Sequence, residues 1–435
     1  MIGRRNMSNY TNSALRLLMK AIPLYRFFIK AETFSRDELE AYQLEQLKKV
    51  VRYAYDHVPY YRERYREIGF EPGDFRSILD FKKLPYLNKE TLRTLPREKF
   101  LSDEIGKLSS VDIRTSGTTG TPLSFACDLH ARAAKYAITY RAFSLAGYRI
   151  GRMQFVLKNC YGAKTAFGYS LLTNRLWMHA YMNTKENCRA ADVILRKHPP
   201  RHISAHPNAL LEFGRSIEDA RKTFSKLIGI TSMSEPLPQS LREQLEECFG
   251  VKVYDFYSNN ESSFMAYESS ETGYLFGEQF SYPEIDSVGT NPLEGELVTT
   301  TFNSFAMPLI RYRNADIVEL KRSNEGGSHF LRVARVLGRT AEAIILPDGN
   351  KVRFFSFARA DLTNVLMYQF EQTAPDKLLV AYVPIDPLLP LDFEGMKNEL
   401  RFYLGDMMNL EFKQVDTLKK DPSGKIPRTI CWIKE

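Results

Sequence analysis

Residues 114–125 read RTSGTTGTPLSF. Thr115, Ser116, Thr118, Thr119 and Thr121 surround Gly117 and Gly120 and lead to Pro122. Glycines let a backbone fold so that N–H groups converge on an anion, and hydroxyls add donors that follow the anion as it moves. The stretch lacks the Gly-Lys-Ser/Thr ending of a P-loop, whose lysine meets the β and γ phosphates. Taken alone it reads equally as a phosphate grip or as a polar surface turn, because Ser/Thr/Gly clusters also mark ordinary loops. If it grips phosphate, the positive charge must come from elsewhere.

A chain of 435 residues exceeds a single hydrophobic core, so two or more domains are expected, and 44% apolar content is normal for globular protein. Net charge is +8, but 60 basic and 52 acidic residues are mixed along the chain. That argues against a dedicated nucleic-acid footprint, which is usually a basic patch or stripe. The five cysteines (Cys127, Cys160, Cys188, Cys248, Cys431) are scattered without a CxxC pair. Neither a disulfide framework nor a Cys-based zinc site is indicated, and a reducing cytoplasm is the expected location.

No apolar run approaches the roughly 18 to 20 residues that span a bilayer. Residues 1–30 nevertheless stand apart: Arg4, Arg5, Arg16, Lys20, Arg26 and Lys30 occur with no acid, around LRLLM and IPLYRFFI. Two readings stay open, a helix lying on an anionic membrane surface and an amphipathic helix packed on its own domain. No small-residue cleavage site follows, which is not the pattern of a secretory signal.

Ser35-Arg36-Asp37-Glu38 has the form of a capping box, and Leu44, Leu47, Val51, Ala54 and Val58 follow at helical spacing until Pro59. From Asp80 onward strand-like runs alternate with helical ones: 154–157, 228–231 and 252–257 as strands, and 237–248 as a helix that Gly250 closes. Alternation of this kind predicts an α/β sheet with its chemistry at strand ends. Glu294–Thr301 is β-rich, and beyond Gly338-Arg339 a smaller α+β module is expected, with strands at 378–383 and 411–415 and a helix near 393–404. The expected division is 1–79 as a helical segment of the large domain, 80–339 as the core and 340–435 as a C-terminal domain.

Four further segments carry chemically useful residues. Tyr254-Asp255-Phe256-Tyr257-Ser258-Asn259-Asn260-Glu261 places a flat aromatic and a hard carboxylate after a strand. Pro308-Leu309-Ile310-Arg311-Tyr312-Arg313-Asn314-Ala315-Asp316 ends in a carboxylate, the natural acceptor for a vicinal diol, unless Arg311 or Arg313 pairs with it. Gly338-Arg339 and the basic run Lys419–Arg428, containing Gly424-Lys425, complete the set. Each segment alone would read as ordinary surface.

The five in order resemble the motifs of the adenylate-forming superfamily, the acyl-CoA synthetases and adenylation-domain enzymes. Its phosphate loop, T-S-G-[ST]-T-G-x-P, is complete here as Thr115 to Pro122, although Leu123 stands where many relatives carry lysine. The resemblance implies a large α/β adenylation domain of layered sheets plus a small β subdomain, and a smaller mobile α+β C-terminal domain. It also implies residue roles. Thr115, Ser116, Gly117, Thr118, Thr119 and Gly120 hold the ATP phosphates, Tyr257 the adenine with Asn259 beside it, Glu261 the Mg²⁺, and Asp316 the ribose. Arg339 contacts ribose or phosphate, and Lys425 swings in to neutralise charge between the carboxylate and the α-phosphate. Ser258, Asn260, Asn314, Ala315 and Ala341, the last at the usual pivot of the domain rotation, depart from the family pattern.

Within the superfamily the chain resembles the phenylacetate-CoA ligase subgroup and its CapK-like members of surface-polysaccharide biosynthesis. The strings that carry this are residues 47–54, 57–62, Leu84-Pro85-Tyr86-Leu87-Asn88-Lys89-Glu90 and 368–372. The implied reaction joins a carboxylic acid to AMP and passes the acyl group to coenzyme A. Transfer to an amine, and a non-catalytic nucleotide-binding member, remain as alternatives. So does the choice between monomer and homodimer. His198, His202 and His206 have the i, i+4 spacing of helical metal ligands, but Pro199, Pro200 and Pro207 break the helix that spacing needs; His206 reads better as a pocket residue.

Overall fold

A computed structural model of the chain describes residues 2–114, 123–158, 165–171, 173–235, 237–261, 263–268, 273–287, 291–321, 329–339, 344–349, 351–352, 364–384, 387–419 and 429–431. The capping box forms: the Ser35 hydroxyl accepts from Glu38 N–H and the Glu38 carboxylate accepts from Ser35 N–H at 2.8 Å, opening the helix Arg36–His57. Pro59 ends that helix and, with φ already fixed, starts the next, Pro59–Glu67. The buried stripe Leu47, Val50, Val51, Ala54 meets Tyr61, Phe81 and Phe100 and closes over Ile310 and Tyr312. Each such side chain contributes roughly 1.5–3 kcal/mol by leaving water, so the helical segment is welded to the Pro308–Asp316 motif.

Among the described residues, twelve strands form one mixed sheet. Its parallel part runs 175–179, 154–158, 202–205, 229–233, 253–258, of which the second, fourth and fifth lie close to the strands expected from sequence. Phe155, Ile203, Ile230 and Val253 bury one face under the helices Lys185–Lys197, Pro207–Ser216 and Gln239–Phe249. The last of these stops at Gly250, whose φ of +72° is the left-handed cap glycine adopts without strain. Beyond strand 253–258 the sheet turns antiparallel and continues through 265–268, 274–276, 332–339, 312–320, 294–301 and 281–287. The expected layers are therefore joined edge to edge.

A separate four-stranded sheet contains 409–414, 377–384, 365–374 and 429–431 in that order. Met396, Leu400 and Leu404 of helix Glu394–Leu404 pack on Phe370, Leu378 and Val380. Among the described residues, no helix is long and apolar enough to cross a membrane.

Candidate nucleotide and carboxylate site

Strand 253–258 carries Tyr257 to the edge where the parallel sheet ends, and its phenol donates to Asp316 Oδ2 at 2.7 Å. Asp316 lies on strand 312–320, where Leu297 of the neighbouring strand is spanned by a bulge: Glu296 pairs with Ile317 and Val298 with Arg313. Ala315 sits in that bulge with φ +68°, the left-handed conformation a glycine takes without cost. The turn thus keeps a glycine-like shape without the glycine of the family pattern. Asn314 is buried, its Oδ1 accepting the Asp316 N–H at 2.9 Å, while its Nδ2 has no hydrogen-bond partner among the described residues.

Arg311 and Arg313 do not pair with Asp316. Arg311 is buried, forks onto Glu284 at 2.8 and 3.0 Å, donates to the carbonyls of Lys82 and Leu84, and stacks on Tyr86. Arg313 binds Glu296 at 2.8 Å and Asp286. Both arginines therefore brace the fold. Arg339 is placed directly opposite Asp316 in the sheet register, so two of the motifs meet across adjacent strands; its side chain lies outside the described residues.

Glu261 follows strand 253–258 and its side chain is largely buried. Its Oε1 accepts from the Tyr312 phenol at 3.2 Å and lies 3.9 Å from Lys89 Nζ. Lys89 also donates to the Asn314 carbonyl at 2.8 Å. Asn88 caps the short helix Lys89–Thr94 through Thr91 N–H. Backbone bonds from Leu87 N–H to Arg311 O and from Arg313 N–H to Leu87 O fix that helix start against the Asp316 motif. Sequence reading missed Lys89. Its only local signal was the Leu84–Glu90 string, which said nothing about reach.

Glu261 also walls a cleft lined by Cys127, Ala131, Phe280, Thr301 and Met307. Lys135 stands one helical turn beyond Ala131 on helix Leu129–Leu145. Burial holds its ammonium below the ordinary lysine range, while Cys127 and Glu261 push it up and Lys158 pushes it down. A carboxylate in this setting is a hard oxygen donor facing a cleft, which suits Mg²⁺, an ion usually held by one or two carboxylates plus substrate phosphates. Asn259 commits both side-chain polar atoms to Ser263, at 2.7 and 3.0 Å, and so shapes the turn that presents Glu261.

Thr115 to Gly120 lie outside the described residues. Their flanks, Val111–Arg114 and Ser124–Cys127, pair antiparallel with Arg114 opposite Ser124. Lys425 also lies outside. The chain leading to it is anchored by Lys419, whose N–H and carbonyl bond the Gln369 amide at 3.1 and 3.0 Å; it returns as Thr429 beside Phe370.

The histidine series separates. His198 caps a helix and His202 is buried in the sheet, accepting from Gln154 at Nδ1 (2.8 Å) and donating from Nε2 to Thr231 Oγ1 (2.9 Å). That leaves His202 no lone pair for a metal. His206 is buried at a strand end with Nδ1 3.4 Å from Glu235.

No family model matches the chain. It is 31% identical over 350 residues to the phenylacetate-coenzyme A ligase of Aromatoleum evansii, covering 73% of this chain and 74% of that protein. It is 23% identical over 370 residues to Protein CapK of Staphylococcus aureus, covering 80% of each. Among solved structures, 2-hydroxyisobutyryl-CoA ligase in the postadenylation state with R3-HIB-AMP superposes with a TM-score of 0.71 at 19% identity, over 92% of this chain and 91% of that one, which shows a shared fold. With Tyr257, Asp316 and Glu261 brought together at the strand ends and a relative of this identity and coverage, the chain belongs to the phenylacetate-coenzyme A ligase family of adenylate-forming ligases.

Proposed function

We propose that the chain activates a carboxylic acid with ATP and passes the acyl group to coenzyme A. A carboxylate oxygen attacks the α-phosphorus, the bond to the bridging oxygen of pyrophosphate breaks, and acyl-adenylate forms. The thiolate sulfur of coenzyme A then bonds to the acyl carbon and AMP leaves. The observation that carries this reading is the convergence of three motif residues: Tyr257 on Asp316, and Glu261 beside Tyr312 of the same strand as Asp316.

Chemistry of this kind is positioning and charge neutralisation. Tyr257 offers its ring to adenine and its hydroxyl to Asp316, which accepts the ribose hydroxyls. Glu261 would hold Mg²⁺, which when bound withdraws charge from the phosphate oxygens. Lys89 holds Glu261 in place and adds a fixed positive charge beside it. Arg339, opposite Asp316 in the register, and Lys425, whose assignment rests on the motif resemblance, complete the neutralisation.

ATP–pyrophosphate exchange with a panel of aryl, fatty and hydroxy acids, followed by thioester detection with coenzyme A, tests the reading. At least one acid should support exchange and then yield a thioester. Failure of every acid, with Lys425→Ala leaving the protein's behaviour unchanged, overturns it. A second reading, transfer to an amine in surface-polysaccharide assembly, rests on the similarity to Protein CapK; exchange without thioester formation would favour it.

A further inference from the structure

The helix Ile2–Ala31 has two apolar faces. One is consumed within the fold: Leu17 and Ala21 pack on Ala133, and Phe28 and Ala31 join the core around Ala134, Ala137 and Ile138 of helix Leu129–Leu145. The small alanines let the two helices approach closely, since interaxial distance follows the side chains at the contact. This face is that of an amphipathic helix packed on its own domain.

The opposite face is also apolar and, among the described residues, is exposed at Leu15, Met19, Ile22 and Ile29. Leu15 (57% exposed), Met19 (67%), Ile22 (44%) and Ile29 (39%) recur at the spacing of one helical stripe. Exposed Arg16, Lys20, Arg26 and Lys30 run along it. The helix contains no Asp or Glu. The first acid after it, Glu32, is turned inward onto Arg141 at 2.7 Å and the Tyr267 phenol at 2.7 Å, so it does not offset the basic surface. A packed helix needs one apolar stripe; a second stripe edged by cations and free of anions matches a surface that is apolar below and negative above.

We propose that this face seats the protein on an anionic lipid surface, with Leu15, Met19, Ile22 and Ile29 entering the headgroup boundary and the four basic side chains meeting lipid phosphates. Charge complementarity selects this occupant over a second copy of the chain, whose identical face would bring like charges together. The helix lies in the plane of the membrane, and the ligase body stays in water.

Sedimentation of the full chain with vesicles tests the proposal. The protein should pellet with vesicles of phosphatidylcholine and phosphatidylglycerol, remain in the supernatant with phosphatidylcholine alone, and be released by salt. Met19→Glu combined with Ile22→Glu should cut the bound fraction about tenfold without lowering the melting temperature, because both sites are exposed. Arg16→Ser, Lys20→Ser and Arg26→Ser together should weaken binding similarly while leaving the apolar stripe intact. Absence of binding to anionic vesicles at low ionic strength overturns the proposal, as does binding by both variants at the wild-type level. A dimer in solution that Met19→Glu and Ile22→Glu dissolve, with no vesicle binding, would assign the face to a second copy and overturn it as well.

Discussion

The phenol of Tyr257 and the carboxylate of Asp316, 59 residues apart in sequence, meet at 2.7 Å. The bond ties the residue proposed to face adenine to the one proposed to hold ribose, so that the two ends of the nucleoside site move together. Tyr257→Phe keeps the ring and removes that tie. The expected result is a rise in KM for ATP of about threefold to tenfold, the worth of about one hydrogen bond, with kcat within about twofold. Steady-state kinetics with saturating acid check it, and an unchanged KM would separate Tyr257 from ribose binding.

Glu261 and Lys89 form the other half of the site. Glu261→Gln retains volume but loses the charge a divalent ion requires, so pyrophosphate exchange should fall about a hundredfold or more. Raising Mg²⁺ should recover part of the loss. An exchange rate near wild type would exclude Glu261 as the magnesium ligand.

Lys89→Met removes a cation that no local pattern marked. We expect exchange to drop about tenfold to a hundredfold, with Lys89→Arg restoring part, because the Arg guanidinium keeps the charge but not the compact shape. Equal activity of the two variants and wild type would reduce Lys89 to a structural tie on the Asn314 carbonyl.

Ala315 is held at φ +68°. A left-handed non-glycine residue costs about 1–2 kcal/mol, and glycine returns about 0.5–1 kcal/mol of that as lost chain entropy. Ala315→Gly should therefore stabilise by about 0.5–1 kcal/mol and raise Tm by about 1–2 °C. A lower Tm in thermal unfolding would mean that the bulge does not strain this position.

His202 predicts acid sensitivity. Burial, assisted by the Arg175 charge, lowers its pKa to about 3, against about 6.5 in an unfolded chain. The unfolded state then binds more protons between these values, so stability rises with pH across the window and is fully present above about 6.5. On acidification from pH 7 to 5 this one group should remove about 2 kcal/mol. His202→Gln should be less stable at pH 7 but show a shallower loss of Tm toward pH 5. An identical slope in both proteins would sink the idea.

Much of this fold was legible because its signals are local. The Ser35 box, Pro59, Gly250 and the strand runs near 154, 229 and 253 each depend on a few neighbouring residues, and the observed elements begin and end within a residue or two of them. Motif strings likewise led to Tyr257, Glu261 and Asp316. What could not be read was who meets whom across the chain. Arg311 was weighed as a partner for Asp316, yet its fork is taken by Glu284 and its remaining donors by carbonyls of the 82–84 turn. Asn259, expected beside the nucleotide, has a tie to Ser263 that closes its own turn and that no spacing announced. Lys89 and Lys135 come to Glu261 through tertiary packing, which leaves no trace in spacing.

The Leu87 bridge to Arg311 and Arg313 has a practical corollary for domain exchange. A hybrid enzyme spliced between the helical segment and the sheet, for example near residue 110, would pair one parent's Lys89 with the other parent's Glu261. Its register would be set by a backbone seam that neither parent evolved. Crossover sites that keep residues 84–90 and 308–316 from the same parent avoid that mismatch, so these two stretches behave as a single unit of inheritance despite their distance in sequence.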